Sequence, residues 1–288
     1  MKTVVDIKGG YGNQLFCYSF GYAVSKETGS ELIIDTSMLD MNNVKDRNYQ
    51  LGALGIKYDS HISYKYGKDF LSRKTGLNRL RKKSAIGFGT VVFKEKEQYV
   101  YDPSVFEIKR DTYFDGFWQS SRYFEKYSDD LRKMLKPKKI SDAAQKIAGE
   151  AEDCLSVSVH IRRGDYVSLG WTLKEDYYTK ALDIIKERYG SEPVFFVFSD
   201  NKKYADDFFS SAGLEYRLMD YETDDAVRDD MFLMSRCSHN IMANSSYSWW
   251  GAFLNENKDK TVICPETGVW GGDFYPEGWM KVTASSGK

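Results

Sequence analysis

Residues 155–166 read Leu-Ser-Val-Ser-Val-His-Ile-Arg-Arg-Gly-Asp-Tyr, and this stretch decides the fold expected for the chain. Apolar residues alternate with small polar ones, so a strand here turns one face to a core and the other to a polar side. The polar face ends in His160 and Arg162, and Gly164 ends the strand. Ligands of open α/β sheets bind at the carboxyl ends of strands, and a guanidinium suits phosphate or carboxylate. The stretch predicts an anion site, unless Arg162 only pairs with Asp165 in a structural turn.

The rest of the second half alternates between runs typical of strands and runs typical of helices. After the strand at 155–162, the pattern predicts strands at 193–199, 216–219, 239–243 and 261–264, and helices at 176–188, 203–211, 226–236 and 248–255. Strands that alternate with helices are parallel and are joined by right-handed crossovers. We therefore expect an α/β domain whose strands end at one common edge.

The first half opens with a strand, a glycine turn, a helix and a second strand, at residues 3–8, 9–13, 14–26 and 31–35. This order raises a dinucleotide-binding hypothesis in which Asp35 binds a ribose. The glycine fingerprint is incomplete, because Leu15 stands at the position of its third glycine. The alternative is that Gly12 lets the backbone approach another ligand, while Asn13 and Gln14 donate hydrogen bonds from the helix N-terminus.

A boundary between two domains is predicted near Pro137. Proline and three lysines follow a predicted strand at 111–118 and a predicted helix at 121–135, and a fresh alternation of elements begins after them. We accordingly expect a first domain at residues 1–137 and a second at residues 138–288.

Composition limits the partners and the location of the protein. Lys and Arg number 41, and Asp and Glu number 42, so the net charge points to no nucleic-acid partner. The sequence has no run of about 18 apolar residues, and Asp6 stands where a signal peptide needs an apolar run. The four cysteines have no paired spacing, and the three histidines have no metal-ligand spacing. We expect a cytoplasmic protein with reduced cysteines.

Three polar groups fall at strand ends of the predicted second sheet. They are His160, Arg162, Arg163 and Asp165, then Asp200, and then Asn244, Ser245 and Ser246 at the start of a helix. A helix N-terminus offers N–H groups and the positive end of the helix dipole, although serine and asparagine are also the commonest caps. Arginine and a helix N-terminus at one edge favour a diphosphate site. The chain lacks the Asp-x-Asp sequence of metal-bound diphosphate sites, which favours a site without a metal ion.

Asp229 and Asp230 lie near the start of the helix predicted at 226–236. Acids at this position stabilise a helix through its dipole. A carboxylate here could also accept two hydrogen bonds from a guanine base. Spacing alone leaves both interpretations open.

Five blocks of sequence follow one another in a fixed order. They are Gly-Gly-Tyr-Gly12-Asn13-Gln14-Leu-Phe, Phe-Trp118-Gln119-Ser, His160-Ile-Arg162-Arg163-Gly-Asp165-Tyr, Phe-Ser-Asp200, and Asn244-Ser245-Ser246-Tyr-Ser-Trp-Trp-Gly-Ala. Together they resemble the α-1,2-fucosyltransferase family, with Tyr11 where leucine is usual. The resemblance implies two Rossmann-like domains facing a cleft, the glycosyltransferase B type. It also implies inverting transfer of fucose from GDP-fucose to O2 of a terminal β-galactose.

The resemblance implies roles for single residues as well. Arg162 matches the arginine that binds the β-phosphate of the donor, Asp230 an acid near the guanine, and Ser246 a serine near the diphosphate. The proposed base of the α-1,6 relatives falls on Gly170, so that role is not carried over. Neither a metal nor a cofactor is implied beyond the donor substrate.

The expected site residues fall into three sets. Catalysis is expected from His160, Arg162 and Asp165, where Asp165 either takes the acceptor proton or only orients Arg163. Donor binding is expected from Gly12, Asn13, Arg162, Arg163, Asp200, Asp230, Asn244, Ser245 and Ser246. Gln14, Trp118 and Gln119 are expected on the acceptor side. A loose displacement with little base assistance is the competing mechanism.

Two other classes of function and one location remain open. The glycine turn is compatible with a nicotinamide-dependent oxidoreductase. The 15% aromatic content is compatible with a non-catalytic glycan-binding protein. Residues 73–83 are rich in Lys and Arg. They form either a solvated helix face or a patch that holds the enzyme peripherally at the inner membrane. Bacterial members of the family build lipid-linked surface glycans such as O-antigen there.

Overall fold

A computed structural model gives the structure of the chain and describes residues 1–41, 48–63, 87, 89–190, 192–268 and 270–287. The chain forms two compact units. The first comprises Met1–Lys136 and Gly272–Pro276, and the second comprises Pro137–Gly271 and Glu277–Lys288. The break after Lys136 lies next to the boundary expected from the sequence. The segment Gly272–Pro276 departs from that expectation, because it packs with the first unit.

The first unit is built on a parallel sheet with the strand order β3-β2-β1-β5-β4 in the described residues. The strands are β1 Lys2–Asp6, β2 Glu31–Asp35, β3 Ser60–Ile62, β4 Val91–Lys94 and β5 Thr112–Asp115. Val4 of the central strand pairs with Ile33 on one side and with Tyr113 on the other. All three side chains are buried, which fits a parallel sheet covered on both faces.

Helix Tyr11–Thr28 joins β1 to β2 and begins three residues before the predicted start. Gly10 is extended and forms the N-cap, and its carbonyl accepts a hydrogen bond from the Gln14 N–H at 3.0 Å. Gly29 ends the helix in the left-handed region, with φ of 64°, where glycine has no steric cost. The shorter helices of this unit are Ser37–Met41 and the 3-10 turns Leu51–Ala53 and Pro103–Phe106.

The helix predicted at 121–135 is wrong over its first half. The chain forms two 3-10 turns, Ser121–Tyr123 and Glu125–Tyr127, before the helix Ser128–Met134 begins. Phe124 separates the turns with a φ of −130° and a fully buried ring. Burial of that ring overrides the local helical pattern. The strand predicted at 111–118 also ends early, at Asp115.

The second unit contains a parallel sheet with the strand order β12-β11-β10-β6-β8-β9 in the described residues. Its strands are β6 Ser156–Ile161, β8 Val194–Ser199, β9 Tyr216–Leu218, β10 His239–Ile241, β11 Val262–Glu266 and β12 Met280–Thr283. The connecting helices are Asp142–Glu152, Gly164–Leu169, Glu175–Tyr189, Lys202–Ala212, Ala226–Arg236 and Ser246–Leu254. Strands β7 Thr172–Leu173 and β13 Ser286–Gly287 form a separate antiparallel pair.

Strand β6 is central, as the sequence predicts, but its polar face is also buried. Val157 and Val159 pack into the core on one side. On the other side Ser158 is 3% exposed, and its hydroxyl accepts a hydrogen bond from the Asn240 amide at 2.7 Å. Ser156 donates to the Ala151 carbonyl at 2.6 Å. Small hydroxyl side chains thus let helices pack on this face while every hydroxyl finds a partner.

The segment Gly272–Pro276 is tied to the first unit by hydrogen bonds and rings. The Asp273 carboxylate accepts from the Tyr101 N–H at 2.9 Å, and the Phe274 ring lies 5.3 Å from that of Tyr99. Gly272 has a φ of 56°, and a Cβ there would clash with the Tyr99 carbonyl. The contact therefore requires glycine.

The basic run predicted at residues 73–83 lies outside the described residues. Among the residues that the structure does describe, none belongs to a helix long and apolar enough to cross a membrane.

Candidate active site at the carboxyl edge of the second sheet

The ends of β6 and β8 bring Arg162 against two carboxylates. The strands pair in register up to Ile161 and Ser199, so Arg162 and Asp200 leave the sheet side by side. Arg162 Nη1 lies 2.7 Å from Asp200 Oδ2, and Arg162 Nη2 lies 2.7 Å from Asp165 Oδ1. The arginine side chain is 34% exposed. A guanidinium has five N–H donors, so two ion pairs fix its orientation without using all of its donors.

Asp200 also fixes the turn that follows β6. Its Oδ1 accepts a hydrogen bond from the Arg163 N–H at 2.8 Å. A Cβ at Gly164 would lie 2.6 Å from Asp200 Oδ2, a distance that real Cβ atoms do not adopt. Gly164 is therefore required by the close approach of the carboxylate, and not only because the strand ends there.

Arg163 faces a different group from Arg162. Its guanidinium carbon lies 3.8 Å from the centre of the Tyr204 ring, on the helix Lys202–Ala212. The cation–π contact packs the turn onto that helix. This contact gives Arg163 a packing role, and the donor binding expected from Arg163 stays a prediction.

His160 is buried beside the arginine and is uncharged at neutral pH. It is 6% exposed, and its ring meets the Tyr247 ring edge-on at 5.5 Å. Burial, together with the charge of Arg162, lowers the pKa of His160 to about 3. Its Nδ1 has no hydrogen-bond partner among the described residues. A base this weak does not take a proton from a sugar hydroxyl, and any other catalytic role of His160 stays a prediction.

The start of helix Ser246–Leu254 lies at the end of β10. Ser245 is the N-cap, and its hydroxyl accepts a hydrogen bond from the Tyr247 N–H at 3.2 Å. The helix begins two residues before the predicted start, because Ser245 and not a later serine is extended. Ser246 takes the first helical position and is partly exposed. The positive end of the helix dipole therefore points out of this edge of the sheet.

Two hydrogen bonds connect this helix start to the arginine turn. The Asn244 amide donates to the Trp171 carbonyl at 2.8 Å, and the Tyr166 hydroxyl donates to the Asn244 carbonyl at 3.3 Å. The Tyr166 ring lies 5.4 Å from the guanidinium carbon of Arg162. Burial raises the pKa of Tyr166 to about 12, so its hydroxyl stays protonated and remains a donor. Sequence reasoning missed this role of Tyr166, although the residue directly follows the arginine motif.

Asp229 and Asp230 have different environments. Asp229 is fully buried and accepts a hydrogen bond from the Thr223 hydroxyl at 2.5 Å. Asp230 accepts from the Tyr221 hydroxyl at 2.7 Å, and burial raises the pKa of Asp230 to about 6 despite that bond. Their helix, Ala226–Arg236, is joined to the neighbouring helix start by a hydrogen bond from the Tyr247 hydroxyl to the Val227 carbonyl at 2.5 Å. Asp230 thus lies on an element that reaches the same edge.

The three residues expected on the acceptor side lie inside the first unit. Gln14 is fully buried, and its amide donates to the carbonyls of Gly9 and Asn48. Trp118 is 1% exposed and stacks on Phe20 at 4.1 Å. These side chains hold the unit together, so the acceptor contacts expected from them are corrected to structural roles.

Gln119 is also buried and structural, and its amide positions the side chain of Asn13. It is 2% exposed, accepts from the Gln98 amide at 2.8 Å and donates to Asn13 Oδ1 at 3.0 Å. Gly12 is buried in the first turn of its helix, while Asn13 is partly exposed there. Of the predicted residues of this turn, Asn13 alone keeps a side chain that solvent reaches.

Asp35 does not fit the ribose contact of a dinucleotide site. Its Oδ2 accepts from the Tyr113 hydroxyl at 2.8 Å and its Oδ1 from the Ser37 N–H at 2.9 Å. The residue is 6% exposed. The carboxylate is thus occupied by the unit itself, which argues against the oxidoreductase hypothesis. No group of three or more His, Cys, Asp or Glu side chains suited to a metal ion occurs among the residues described.

Comparison with known proteins identifies the family. The sequence profile described as Glycosyl transferase family 11 matches residues 96–269. The chain is 34% identical to an α-1,2-colitosyltransferase of Escherichia coli, over 97% of the chain and 98% of that protein. It is 31% identical to the O-antigen biosynthesis glycosyltransferase WbnK of Escherichia coli, over 90% of the chain and 92% of that protein.

A solved structure supports the fold. The structure of Arabidopsis thaliana FUT1 in complex with GDP matches with a TM-score of 0.51 at 12% identity, over 92% of this chain and 71% of that one. The match agrees with the two parallel α/β sheets, and the glycosyltransferase B fold expected from the sequence is confirmed. This chain is a glycosyltransferase that belongs to glycosyl transferase family 11.

Proposed function

We propose that the chain transfers fucose from GDP-fucose to O2 of a terminal β-galactose, with inversion and without a metal ion, in the synthesis of O-antigen or another surface glycan. The observation that carries the proposal is the Arg162 guanidinium, held by Asp165 and Asp200 beside the start of helix Ser246–Leu254. The full-length relatives named above add the α-1,2 linkage and the O-antigen setting.

The reaction breaks the bond between the sugar and the diphosphate, so negative charge grows on the leaving GDP. Arg162 supplies a fixed positive charge there, and the helix start supplies oriented N–H groups. Both are in place before the reaction, so no reorganisation is needed as the charge develops. In this mechanism the guanidinium and the helix start stabilise the leaving diphosphate, as a divalent cation does in metal-dependent glycosyltransferases.

Asp165 and Asp200 act on Arg162 in this mechanism. A lone arginine side chain explores many rotamers, and two carboxylates at 2.7 Å restrict it to one orientation. Asp165 is 46% exposed, and its Oδ1 is bound to the guanidinium. We therefore favour a loose displacement in which the acceptor hydroxyl loses its proton late, with Asp165 as an orienting group.

Asp230 is proposed to read the guanine base. Its carboxylate can accept from N1–H and N2–H₂ of guanine, a donor pair that adenine does not present. The residue is partly exposed, so a base can reach it. Burial behind it strengthens any hydrogen bond it makes.

Fucose and colitose are both candidates for the donor sugar, because the colitosyltransferase is similar to this chain over almost its whole length. Colitose is fucose without its 3-hydroxyl, so both donors present the same diphosphate to Arg162. Phosphate contacts alone therefore do not separate them. The acceptor position, O2, is common to both.

A transfer assay tests the proposal. The purified chain is incubated with GDP-fucose, GDP-colitose, GDP-mannose or UDP-galactose, each with a β-galactoside disaccharide. The expected product carries an α-1,2-linked fucose, identified by NMR of the isolated trisaccharide. The 2-deoxygalactoside of the same disaccharide is the control, and it should accept nothing. Transfer to that control, or to a hydroxyl other than O2, would refute the linkage, and a clear preference for GDP-colitose would refute the donor.

A further inference from the structure

Three large apolar side chains are exposed on the turn that follows the arginine motif. Val167 is 54% exposed, Leu169 is 50% exposed and Trp171 is 37% exposed. Val167 and Leu169 belong to the short helix Gly164–Leu169, and Gly170 ends it with a φ of 68°. Val167 and Leu169 stand two positions apart on this helix and point to different sides, whereas Trp171 packs against Tyr166 of the arginine motif.

The backbone under this surface is fixed by contacts to the anion site. The Trp171 N–H donates to the Tyr166 carbonyl at 2.9 Å, and the Trp171 carbonyl accepts from the Asn244 amide at 2.8 Å. The Tyr166 ring meets the Trp171 indole edge-on at 5.6 Å. The same Tyr166 ring lies 5.4 Å from the guanidinium carbon of Arg162. One tyrosine ring therefore separates the indole from the proposed leaving-group site.

A sugar ring is the ligand whose chemistry fits a fixed, exposed indole of this kind. A pyranose has one face of C–H groups, which packs on the face of an aromatic ring, while its hydroxyls stay in water. Asp165 and Asp200 lie in the preceding turn and are partly exposed. Both carboxylates are paired with Arg162, so this turn offers no excess positive charge to an anionic lipid surface, and a neutral glycan needs none.

We propose that Trp171 is the platform on which the acceptor glycan stacks. The inference rests on the proposed transfer to a β-galactoside and names the acceptor contact that the sequence placed on buried residues. The acceptor fits better than the donor sugar, because the donor sugar is already held through its diphosphate.

The test compares Trp171→Ala, Trp171→Phe and Val100→Ala. Val100 is another exposed apolar residue, 39% exposed, and lies in the first unit. Trp171→Ala should raise the KM for the β-galactoside about tenfold, the loss expected for one aromatic contact. The GDP affinity and the rate of GDP-fucose hydrolysis without acceptor should not change. Trp171→Phe should restore most of the acceptor KM, and Val100→Ala should match the wild type.

A binding measurement separates this inference from the proposed transfer. Saturation-transfer NMR with methyl β-lactoside, in the presence of GDP, reports stacking without turnover, and Trp171→Ala should lose most of the signal. If the wild type transfers to β-galactosides and Trp171→Ala keeps the acceptor KM and the NMR signal, the platform is refuted while the transferase stands. If the wild type transfers nothing, the NMR signal and its loss in Trp171→Ala decide the platform alone. An increase in the KM for GDP-fucose only would also overturn it.

Discussion

Gly164→Ala should destabilise the second unit because its new methyl group meets Asp200. The added Cβ would lie 2.6 Å from Asp200 Oδ2, and ordinary contacts begin at 3.4 Å, so the carboxylate must retreat by about 0.8 Å. The same oxygen pairs with Arg162 Nη1 at 2.7 Å, and the other carboxylate oxygen holds the Arg163 N–H. Overpacking of this size costs about 1–3 kcal/mol. Urea denaturation of both proteins measures the change in the free energy of unfolding.

A double-mutant cycle with Asp200→Ala tests whether the cost of Gly164→Ala comes from this contact. Asp200→Ala removes the oxygen that the methyl group meets, at the cost of a partly exposed ion pair and one backbone hydrogen bond, about 1–2 kcal/mol. Gly164→Ala added to Asp200→Ala should then cost about 1 kcal/mol less than it does in the wild type. Gly149→Ala is the matched control. That glycine lies inside helix Asp142–Glu152 with nothing within 4 Å of its Cβ position, so the change should stabilise by about 0.5–1 kcal/mol. Additive costs for the two changes, or an unaffected Gly164→Ala protein, would refute the close contact.

Three further predictions follow from the charges of the site. The pKa of His160 lies at about 3 in the folded chain, below its ordinary value of 6.5, so the unfolded chain binds the extra proton first and stability should fall as pH drops from about 6.5 to 3. The His160→Gln protein should lose that part of the pH dependence in urea titrations, and a His160 ring seen to titrate near pH 6.5 by NMR would contradict the burial argument. Asp230→Ala should weaken GDP binding by about 1–3 kcal/mol in calorimetry. Because the pKa of Asp230 lies at about 6, wild-type GDP affinity should rise more steeply than that of Asp230→Asn as pH increases through 6, while the terminal phosphate of GDP ionises near the same pH in both cases; equal slopes would assign Asp230 to its helix alone. Transfer should continue in excess EDTA, and activity that is lost on chelation and restored by Mg²⁺ would reject the metal-free mechanism.

The second unit could be predicted well from the sequence because its signals are local. Alternation marks β6, and the helix Ala226–Arg236 begins and ends where its pattern does. The break after Lys136 follows from proline and charge, which are local as well. Local signals do not show which residues of separate elements come into contact. The pairing of Arg162 with Asp200 joins residues from two strands, and only the register of β6 and β8 brings them together.

Burial was the main feature that sequence patterns misjudged. Gln14 and Gln119 are polar residues of a type that is usually exposed, yet both amides are used inside the first unit. Trp118 was interpreted as a sugar contact and is a core residue. The exposed tryptophan is Trp171, which no motif marked. Each error has the same cause, since exposure depends on how distant elements pack and not on residue type.

In the proposed mechanism, Arg162 stabilises the departing diphosphate. Removing one preorganised donor to a developing charge costs about 3–4 kcal/mol, or a factor of roughly 10²–10³ in rate. Arg162→Ala should lower kcat by that factor while the melting temperature changes little, because the ion pairs it loses are partly exposed. Arg162→Lys should recover little, since an ammonium does not reproduce the planar guanidinium between two carboxylates.

The most direct measurement is therefore the single-turnover rate of fucosyl transfer for wild-type, Arg162→Ala and Arg162→Lys proteins, with Arg163→Ala as the neighbouring control. We expect a loss of at least about 10²-fold for both Arg162 variants and a smaller loss for Arg163→Ala, whose side chain packs on Tyr204. An Arg162→Ala protein that keeps near-normal turnover and melts at a lower temperature would show that this arginine is structural, and it would contradict the mechanism.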